Sequence, residues 1–567
     1  MLRINLFVFC AVWFLASCTA ISTTTNGTTK NLSNANLQNL VKLAGAPLFE
    51  GMGEFTHPVT TSDPYVQRYF DQGMVLAFGF NHAESVRAFK AAQVLDPGCA
   101  MCYWGEALAI GPNINVTAKG KAIMMPPERI AAYAAIQNAV ALKDKVSAVE
   151  RDYIEALAAR YNGDVESARE PLDLAYALKM KALAEKYPDD DDAAALFAEA
   201  LMNTMPWDYW SDDGSPKQDT VLVINSLQKI MDRSPKHPLA LHLYIHAVEA
   251  SSNPGRAEIA ADTLADLVPG SGHLVHMPSH IYWRIGRYHD ASEANVRAAK
   301  VDEDYIAACN AQGFYPALYY PHNIHFLWAA SSMEGRSAVA IEAARKVAAN
   351  IRLEQIEQFP TIEFFHTIPL LALTQFAKWD EVLAEPQPEA SLEFSNAIWR
   401  YARGVALARL GKVALATAES EALQPLLQTD KILFLDGNDY PASIVLKIAD
   451  QLLSGEIAMA GADHRSAVAA FEKAVIAQDS LPYTEPPFWY YPTRQSLGEA
   501  LFKKGDTGAA EAVYKEDLKR YPRNGWSMFG LIQSLEAQNK ADEAAEVRAK
   551  FDNVWSRSDV TLSGSRL

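Results

Sequence analysis

Three histidines fall within the segment GHLVHMPSH, residues 272–280, of a 567-residue chain that has thirteen histidines in all. They are His273, His276 and His280, and their spacing of three and four residues places them on one side of a helix. Imidazole nitrogen is a ligand for zinc, copper, iron and nickel. The spacing is therefore compatible with a metal site, although a single histidine is more often an ordinary surface or core residue.

Two further histidine pairs recur at fixed offsets from these three. Subtracting 34 residues from the last two positions leads to His242 and His246, and adding 49 residues to the first two leads to His322 and His325. The longer offset contains an insertion of 15 residues, since 49 − 34 = 15. The seven histidines are thus predicted to form a row across consecutive helices.

This row is predicted to bind a transition metal, with zinc, copper or iron as the expected ion. A polar groove for a peptide or anionic ligand is one alternative, and no specific role is another. In the metal interpretation Glu249 would serve as a ligand or a base, and Arg284 would steady an anionic substrate. Pro278 is expected to interrupt the helix that carries the central histidines. Whether such a site would make the protein an enzyme stays open.

Cys99 and Cys102 form a Cys-x-x-Cys pair at the predicted start of a helix. No histidine follows the second cysteine, so covalent haem attachment is not indicated. A disulfide or a redox-active pair is the first interpretation. A soft-metal site that includes Met101, or two inert thiols, are the alternatives.

Helix–turn–helix repeats are the elements that must position these side chains. In residues 69–97, the small residues Gly73 and Ser85, the aromatic Phe89 and the terminal Pro97 have the spacing of a tetratricopeptide (TPR) repeat of about 34 residues. Similar segments recur as far as the C-terminal third, and no strand-like alternation competes with them. The sequence predicts an all-α solenoid.

Over nearly all of residues 60–555 the chain resembles bacterial TPR proteins. The segment PPFWYYPTRQSLGEAL, residues 486–501, also resembles a group of bacterial lipoproteins or exported proteins of this type. In the TPR family the stripe of the first helix that would hold these histidines faces the concave groove. The resemblance therefore implies that the histidines line a groove and that the core lies elsewhere.

The N-terminus is predicted to be an export signal. The apolar run LFVFCAVWFL is too short to span a bilayer and leads into LASC, residues 15–18, which resembles a bacterial lipobox. That resemblance implies removal of residues 1–17 and acylation of Cys18, with a palmitate-type lipid anchor. Because Thr19 and not Asp follows, it also implies the outer membrane, facing the periplasm. Residues 18–45 are expected to be a flexible tether.

Three repeat regions are predicted to follow the tether. They are an N-terminal region with a loop insertion, a central region that carries the histidine row, and a C-terminal region, which span residues 46–165, 166–400 and 401–567. The net charge of −17 argues against a nucleic-acid partner. The leading prediction is a lipid-anchored TPR protein that binds a protein, peptide or small ligand in its groove. A metal-dependent enzyme or metal-binding protein is the alternative, and a structural assembly factor at the outer membrane is the third.

Overall fold

A computed structural model describes residues 34–567, except residues 119–120, 212, 310 and 312–313. The predicted signal peptide and Cys18 lie outside the described residues. The described chain is an all-α solenoid of TPR-type helix pairs, which confirms the predicted fold.

Helices follow one another along the chain, joined by turns and by a few longer connectors. In the N-terminal part they are α1 (Asn34–Ala44), α2 (Pro64–Phe78), α3 (His82–Leu95), α4 (Ala100–Ile110), α5 (Pro126–Leu142), α6 (Ala148–Ala158), α7 (Arg169–Lys186), α8 (Asp191–Met202) and α9 (Thr220–Arg233). A hairpin of two short strands, β1 (Thr117–Ala118) and β2 (Lys121–Ala122), precedes α5.

The central part contains shorter and more interrupted helices. They are α10 (Pro238–Glu249), α11 (Glu258–Leu264), α12 (Gly272–His276), α13 (Pro278–Arg284), α14 (Tyr288–Cys309), α15 (Tyr320–Met333), α16 (Ser337–Ala349), α17 (Leu353–Gln358), α18 (Ile368–Gln375) and α19 (Trp379–Ala384). A π-helical turn, Tyr315–Tyr319, leads directly into α15.

The C-terminal part returns to regular pairs. They are α20 (Glu393–Arg409), α21 (Val413–Leu423), α22 (Asp430–Asp436), α23 (Ala442–Ala460), α24 (His464–Asp479), α25 (Arg494–Lys504), α26 (Thr507–Arg520), α27 (Gly525–Ala537) and α28 (Ala541–Val554). Within the described ranges, none of the helices is both long and apolar enough to cross a bilayer.

Close helix contacts in the repeats depend on small residues that face an aromatic ring. Phe89 packs against both Gly73 and Gly105, and a Cβ atom at Gly73 would lie 2.7 Å from the ring. Phe471 packs in the same way against Gly455. At these points the side chain of even an alanine would overlap the aromatic ring. The pattern of small and aromatic residues in the sequence therefore indicates which helices are in contact.

Within the segment expected to be a flexible tether, residues 18–45, the described part is mostly helical, because Asn34–Ala44 forms α1. Residues 18–33 lie outside the described residues. Leu40 of this helix packs against the core, and Ala44 is buried. Burial of these apolar residues outweighs the polar composition of the segment, which was the basis for predicting a tether.

The solenoid folds back on itself so that both ends contact the central helices. On the N-terminal side, the backbone N–H of Gly270 donates to the carbonyl of Gly51 at 2.8 Å. On the C-terminal side, the indole N–H of Trp526 donates to the carbonyl of Ser332 at 3.0 Å. Both contacts hold segments that are remote in the sequence against the central part of the chain.

Candidate metal centre

Six of the seven predicted histidines converge in the interior of the solenoid, in two groups of three. Within each group, one possible ligand atom from every residue lies within 4.8 Å of the others. The first triad is His242, His246 and His273, and the second triad is His276, His280 and His322.

Four helices supply these side chains. The first two histidines are one turn apart on α10, a helix that is buried along its whole length. The predicted interruption at Pro278 is present: α12 ends at His276, and α13 begins at Pro278 after a single intervening residue. The three histidines of GHLVHMPSH nevertheless converge, with His273 in the first triad and His276 and His280 in the second.

The histidines lie in a closed interior and not in the groove that the sequence predicted. His242 and His276 have no exposed surface, and the remaining triad members are buried or nearly so. The ring of Phe80, just after α2, lies 4.7 Å from the ring of His242. On another side Glu485 lies 3.4 Å from His280. The histidines are enclosed because segments remote in the sequence, around Phe80 and Glu485, pack against them.

In the first triad, the rings of His242 and His246 are hydrogen-bonded through Nδ1, and their Nε2 atoms are left without a partner among the described residues. His242 donates from Nδ1 to the carbonyl of Phe78 at 2.7 Å, and His246 pairs through Nδ1 with Oε1 of Glu249 at 2.7 Å. Among the described residues, neither Nε2 atom has a hydrogen-bond partner, and neither ring nitrogen of His273 has one. Buried ring nitrogens without partners are expected where an ion binds.

In the second triad, the ring nitrogens face one another directly. Nε2 of His276 lies 2.8 Å from Nε2 of His280 and 3.1 Å from Nε2 of His322. Asn295 donates through Nδ2 to the carbonyl of Ala291, so its Oδ1 accepts from Nδ1 of His276 at 2.7 Å. Nε2 of His276 therefore carries a lone pair, which can accept an N–H from a neighbouring imidazole or coordinate a cation.

Burial keeps most of these imidazoles in the form that can coordinate a metal. Burial is the largest cause that lowers the pKa of five triad members. In four of these, neighbouring imidazoles lower the pKa further. For the fifth, His246, the pairing with Glu249 opposes part of the effect of burial on the pKa. Neutral imidazole is the ligating form.

Glu249 joins the two triads. Its Oε1 accepts from His246, and its Oε2 accepts from Nδ1 of His280 at 2.6 Å. Burial acts to raise the pKa of Glu249, but His280 and His246 overcome it and hold the pKa below its usual value. The carboxylate is thus an anion that contacts one ring of each triad, and it also lies within 4.8 Å of possible ligand atoms of His280 and Glu485. Its predicted role as an ion ligand or a base stays a prediction.

Arg284 contacts the end of α10, and the role predicted for it, steadying an anionic substrate, stays a prediction. Its guanidinium donates to the backbone carbonyl of Glu249 and to that of Ser251, the latter at 3.3 Å. It also stacks over the ring of Tyr483 at 5.2 Å. Arg284 therefore caps the C-terminal end of α10 and ties it to the segment that covers the site.

His325 is the predicted ligand that the structure places elsewhere. Its ring stacks on Trp328 at 5.3 Å and contacts the rings of Phe364 and Phe365. Burial alone lowers its pKa to about 3. The side chain is part of an aromatic cluster and belongs to neither triad.

Repeat spacing missed four polar residues that support the site. Asn295 and Asp302 lie on α14, while Tyr483 and Glu485 belong to a connector 234 or more residues away from Glu249. The hydroxyl of Tyr483 lies 3.2 Å from Glu249 and also contacts Glu485. Only one signal was present in the sequence: Glu485 immediately precedes the aromatic segment PPFWYYP.

Gly272, at the start of α12, is expected not to tolerate a side chain. A Cβ atom here would overlap the carboxylate of Asp302, which is fixed by Tyr315 at 2.8 Å and Asn323 at 2.7 Å. The same Tyr315 hydroxyl accepts from the backbone N–H of His273 at 3.1 Å. We expect Gly272→Ala to lower the unfolding free energy by about 1–3 kcal/mol in chemical denaturation, through overpacking.

Gly508 provides the matched control for this substitution. It lies near the start of α26, and a Cβ atom there would meet nothing within 4 Å. Gly508→Ala is expected to leave stability unchanged or to raise it by about 0.4–1 kcal/mol. Equal stability of the two variants would contradict the tight packing inferred at Gly272.

Cys99 and Cys102 are joined by a disulfide in the structure, with their Cα atoms 5.4 Å apart. Both residues are buried at the start of α4. The redox role considered for this pair stays a prediction.

Comparison with known proteins identifies similarity of fold only. No protein-family model and no curated protein matches the sequence. Among solved structures, the human IFIT1 dimer with m7Gppp-AAAA is 11% identical, with a TM-score of 0.30 over 92% of this chain and 96% of that chain. Yeast Tom70 is 12% identical, with a TM-score of 0.25 over 87% and 93%. The P58(IPK) TPR domain is 11% identical, with a TM-score of 0.19 over 84% and 99%.

Proposed function

We propose that this protein binds a transition metal through the buried histidine triads of its central helices. The observation that carries the proposal is the convergence of six imidazoles in the interior, four of which are already hydrogen-bonded through Nδ1. Nε2 of His242 and of His246 are buried without partners in the described chain, and the Nε2 atoms of the second triad lie about as close together as ligands of one ion.

The surroundings of the triads have the chemistry that a metal site requires. Metal-bound histidines usually donate their other ring N–H to a carboxylate or carbonyl, which fixes the ring and raises its basicity. Here the acceptors are Glu249, the carbonyl of Phe78 and the amide of Asn295. Imidazole donors suit zinc, copper or iron.

The number of ligands favours a site that also takes up a small molecule. Structural zinc sites are closed by four protein ligands, whereas catalytic sites have three and keep one position for water or substrate. Each triad supplies three imidazoles. A metal-dependent enzyme is accordingly the more specific form of this proposal.

Elemental analysis tests the proposal. Full-length protein is loaded with zinc or copper, dialysed and compared with the variant His242→Ala/His276→Ala, which removes one ligand from each triad. We expect stoichiometric metal in the wild type and its loss in the variant. The control variant His289→Ala/His464→Ala changes two histidines outside the triads and is expected to retain the metal. Absence of metal from the replete wild type, or equal retention by the triad variant, would contradict the proposal.

We also propose that the protein has a protein or peptide partner and a lipid anchor. The TPR-type fold is one that often serves as a binding scaffold, and the lipobox resemblance around Cys18 supports attachment to the bacterial outer membrane. Because the histidines are enclosed, a partner is expected to bind elsewhere on the solenoid. Labelling with a palmitate analogue, with Cys18→Ser as the comparison, tests the anchor.

A further inference from the structure

The two triads are separate sets of ligands. They share no residue, and each brings its three ligand atoms within 4.8 Å of one another. Ions of this class usually bind four ligands when the site is tetrahedral. Six inward-facing imidazoles are therefore more than one such ion would use, and they divide into two sets of three.

The two sets are also neighbours. The ring centroids of His246 and His280 are 5.5 Å apart, and those of His273 and His276 are 5.7 Å apart. In each of these two pairs, one ring belongs to the first triad and the other to the second. Ions held by the two triads would therefore occupy one continuous interior space.

Glu249 links the sets chemically. One carboxylate oxygen accepts from His246 in the first triad at 2.7 Å, and the other accepts from His280 in the second at 2.6 Å. A second buried carboxylate, that of Glu485, lies 3.4 Å from His280. Two carboxylates beside the triads would offset part of the charge of two divalent ions, and a small anion such as hydroxide would offset more.

We propose that the interior holds two transition-metal ions at once, one on each triad, with Glu249 orienting a ligand of both. This inference rests on the proposed metal-binding function. Dinuclear protein sites hold their ions about 3.5–4 Å apart, where a small oxygen-donor ligand can bridge them. Each triad has three imidazoles, so each ion would have a position left for another ligand. We expect a small anion to bind the two ions there.

Metal stoichiometry tests the two-ion arrangement. Copper(II) and zinc(II) are used as probes on the full-length protein, and bound metal is measured after dialysis. We expect two ions per chain in the wild type. The first-triad variant His242→Ala/His273→Ala and the second-triad variant His276→Ala/His322→Ala should each retain one, a twofold loss. One ion per chain in the wild type would overturn this inference and leave the proposed function standing, whereas no ion would contradict both.

Electron paramagnetic resonance of the wild type tests whether the two ions are neighbours, and it does not depend on the folding of a variant. In the copper(II)-loaded wild type, two neighbouring ions should couple magnetically, so the signal of isolated copper(II) should be reduced relative to the copper content. Adding one equivalent of copper to the wild type, or two to a folded single-triad variant, should give more signal per copper. Two equivalents in the wild type with the full signal of isolated ions would overturn the proposed adjacency.

Discussion

Removal of the metal by a chelator is expected to lower the stability of the central helices by about 4 kcal/mol, relative to protein in free metal at roughly 1,000 times the Kd. A ligand that binds only the folded state stabilises that state by mass action, and the triads exist only when α10, α12, α13 and α15 are packed together. The melting temperature should therefore fall on chelation and recover on addition of metal. Differential scanning calorimetry with and without chelator measures the change.

The variant His242→Ala/His276→Ala separates this effect from a direct action of the chelator. Its melting temperature should not respond to chelator or to added metal, whatever its stability relative to the wild type. An equal response of the variant and the wild type would show that the stabilising ion binds outside the triads.

Replacement of Glu249 by glutamine is expected to weaken metal binding by about 10–100-fold, the range for loss of a group that orients metal ligands. The carboxylate accepts from both His246 and His280. An amide keeps one accepting oxygen but presents an N–H group to the other ring, so one imidazole must turn or change its tautomer. Competition titration against a chromophoric chelator measures the affinity.

Glu334→Gln is the matched control for this change. Glu334 is also buried and also pairs with a histidine, since Nδ1 of His289 lies 3.0 Å from its Oε2. This pair lies outside the triads, and we expect the variant to bind metal as the wild type does. A similar loss of affinity in both variants would mean that Glu249 acts through general stability and not through its two histidines.

The repeats could be predicted from the sequence because each one depends on contacts between residues close in the chain. Gly73 and Phe89 are 16 residues apart and mark the contact between α2 and α3. The same regularity aligned His242 with His276, which the structure places in the first and the second triad. Local repetition therefore predicted the fold and six of the histidines that the structure brings together, but not their division into two groups.

Repeat spacing was less reliable after the 15-residue insertion, where the regular helix period is lost. A π-helical turn, Tyr315–Tyr319, leads into α15. His322 reaches the second triad, at 3.1 Å from His276, but His325 turns toward Phe364 and Phe365. A count of residues along the sequence could not predict how α15 is rotated about its axis after this turn.

Closure of the interior could not be predicted, because it depends on contacts across very long separations. Phe78 and His242 are 164 residues apart, and Tyr483 and Glu249 are 234 apart. No repeat pattern connects such positions. The same long-range contacts that bury the histidines also bring Glu485 to the site. Neither the enclosure of the histidines nor this carboxylate could therefore be predicted from the sequence, and for the same reason.

Anomalous X-ray diffraction from crystals of the metal-loaded protein, measured at the absorption edge of the added metal, locates any ion that the triads bind. Metal bound as proposed gives anomalous density among the Nε2 atoms of the triads, at about 2.0–2.1 Å from the ligating nitrogens for zinc. Density at surface histidines alone, with none between His242 and His322, would contradict the proposed metal binding.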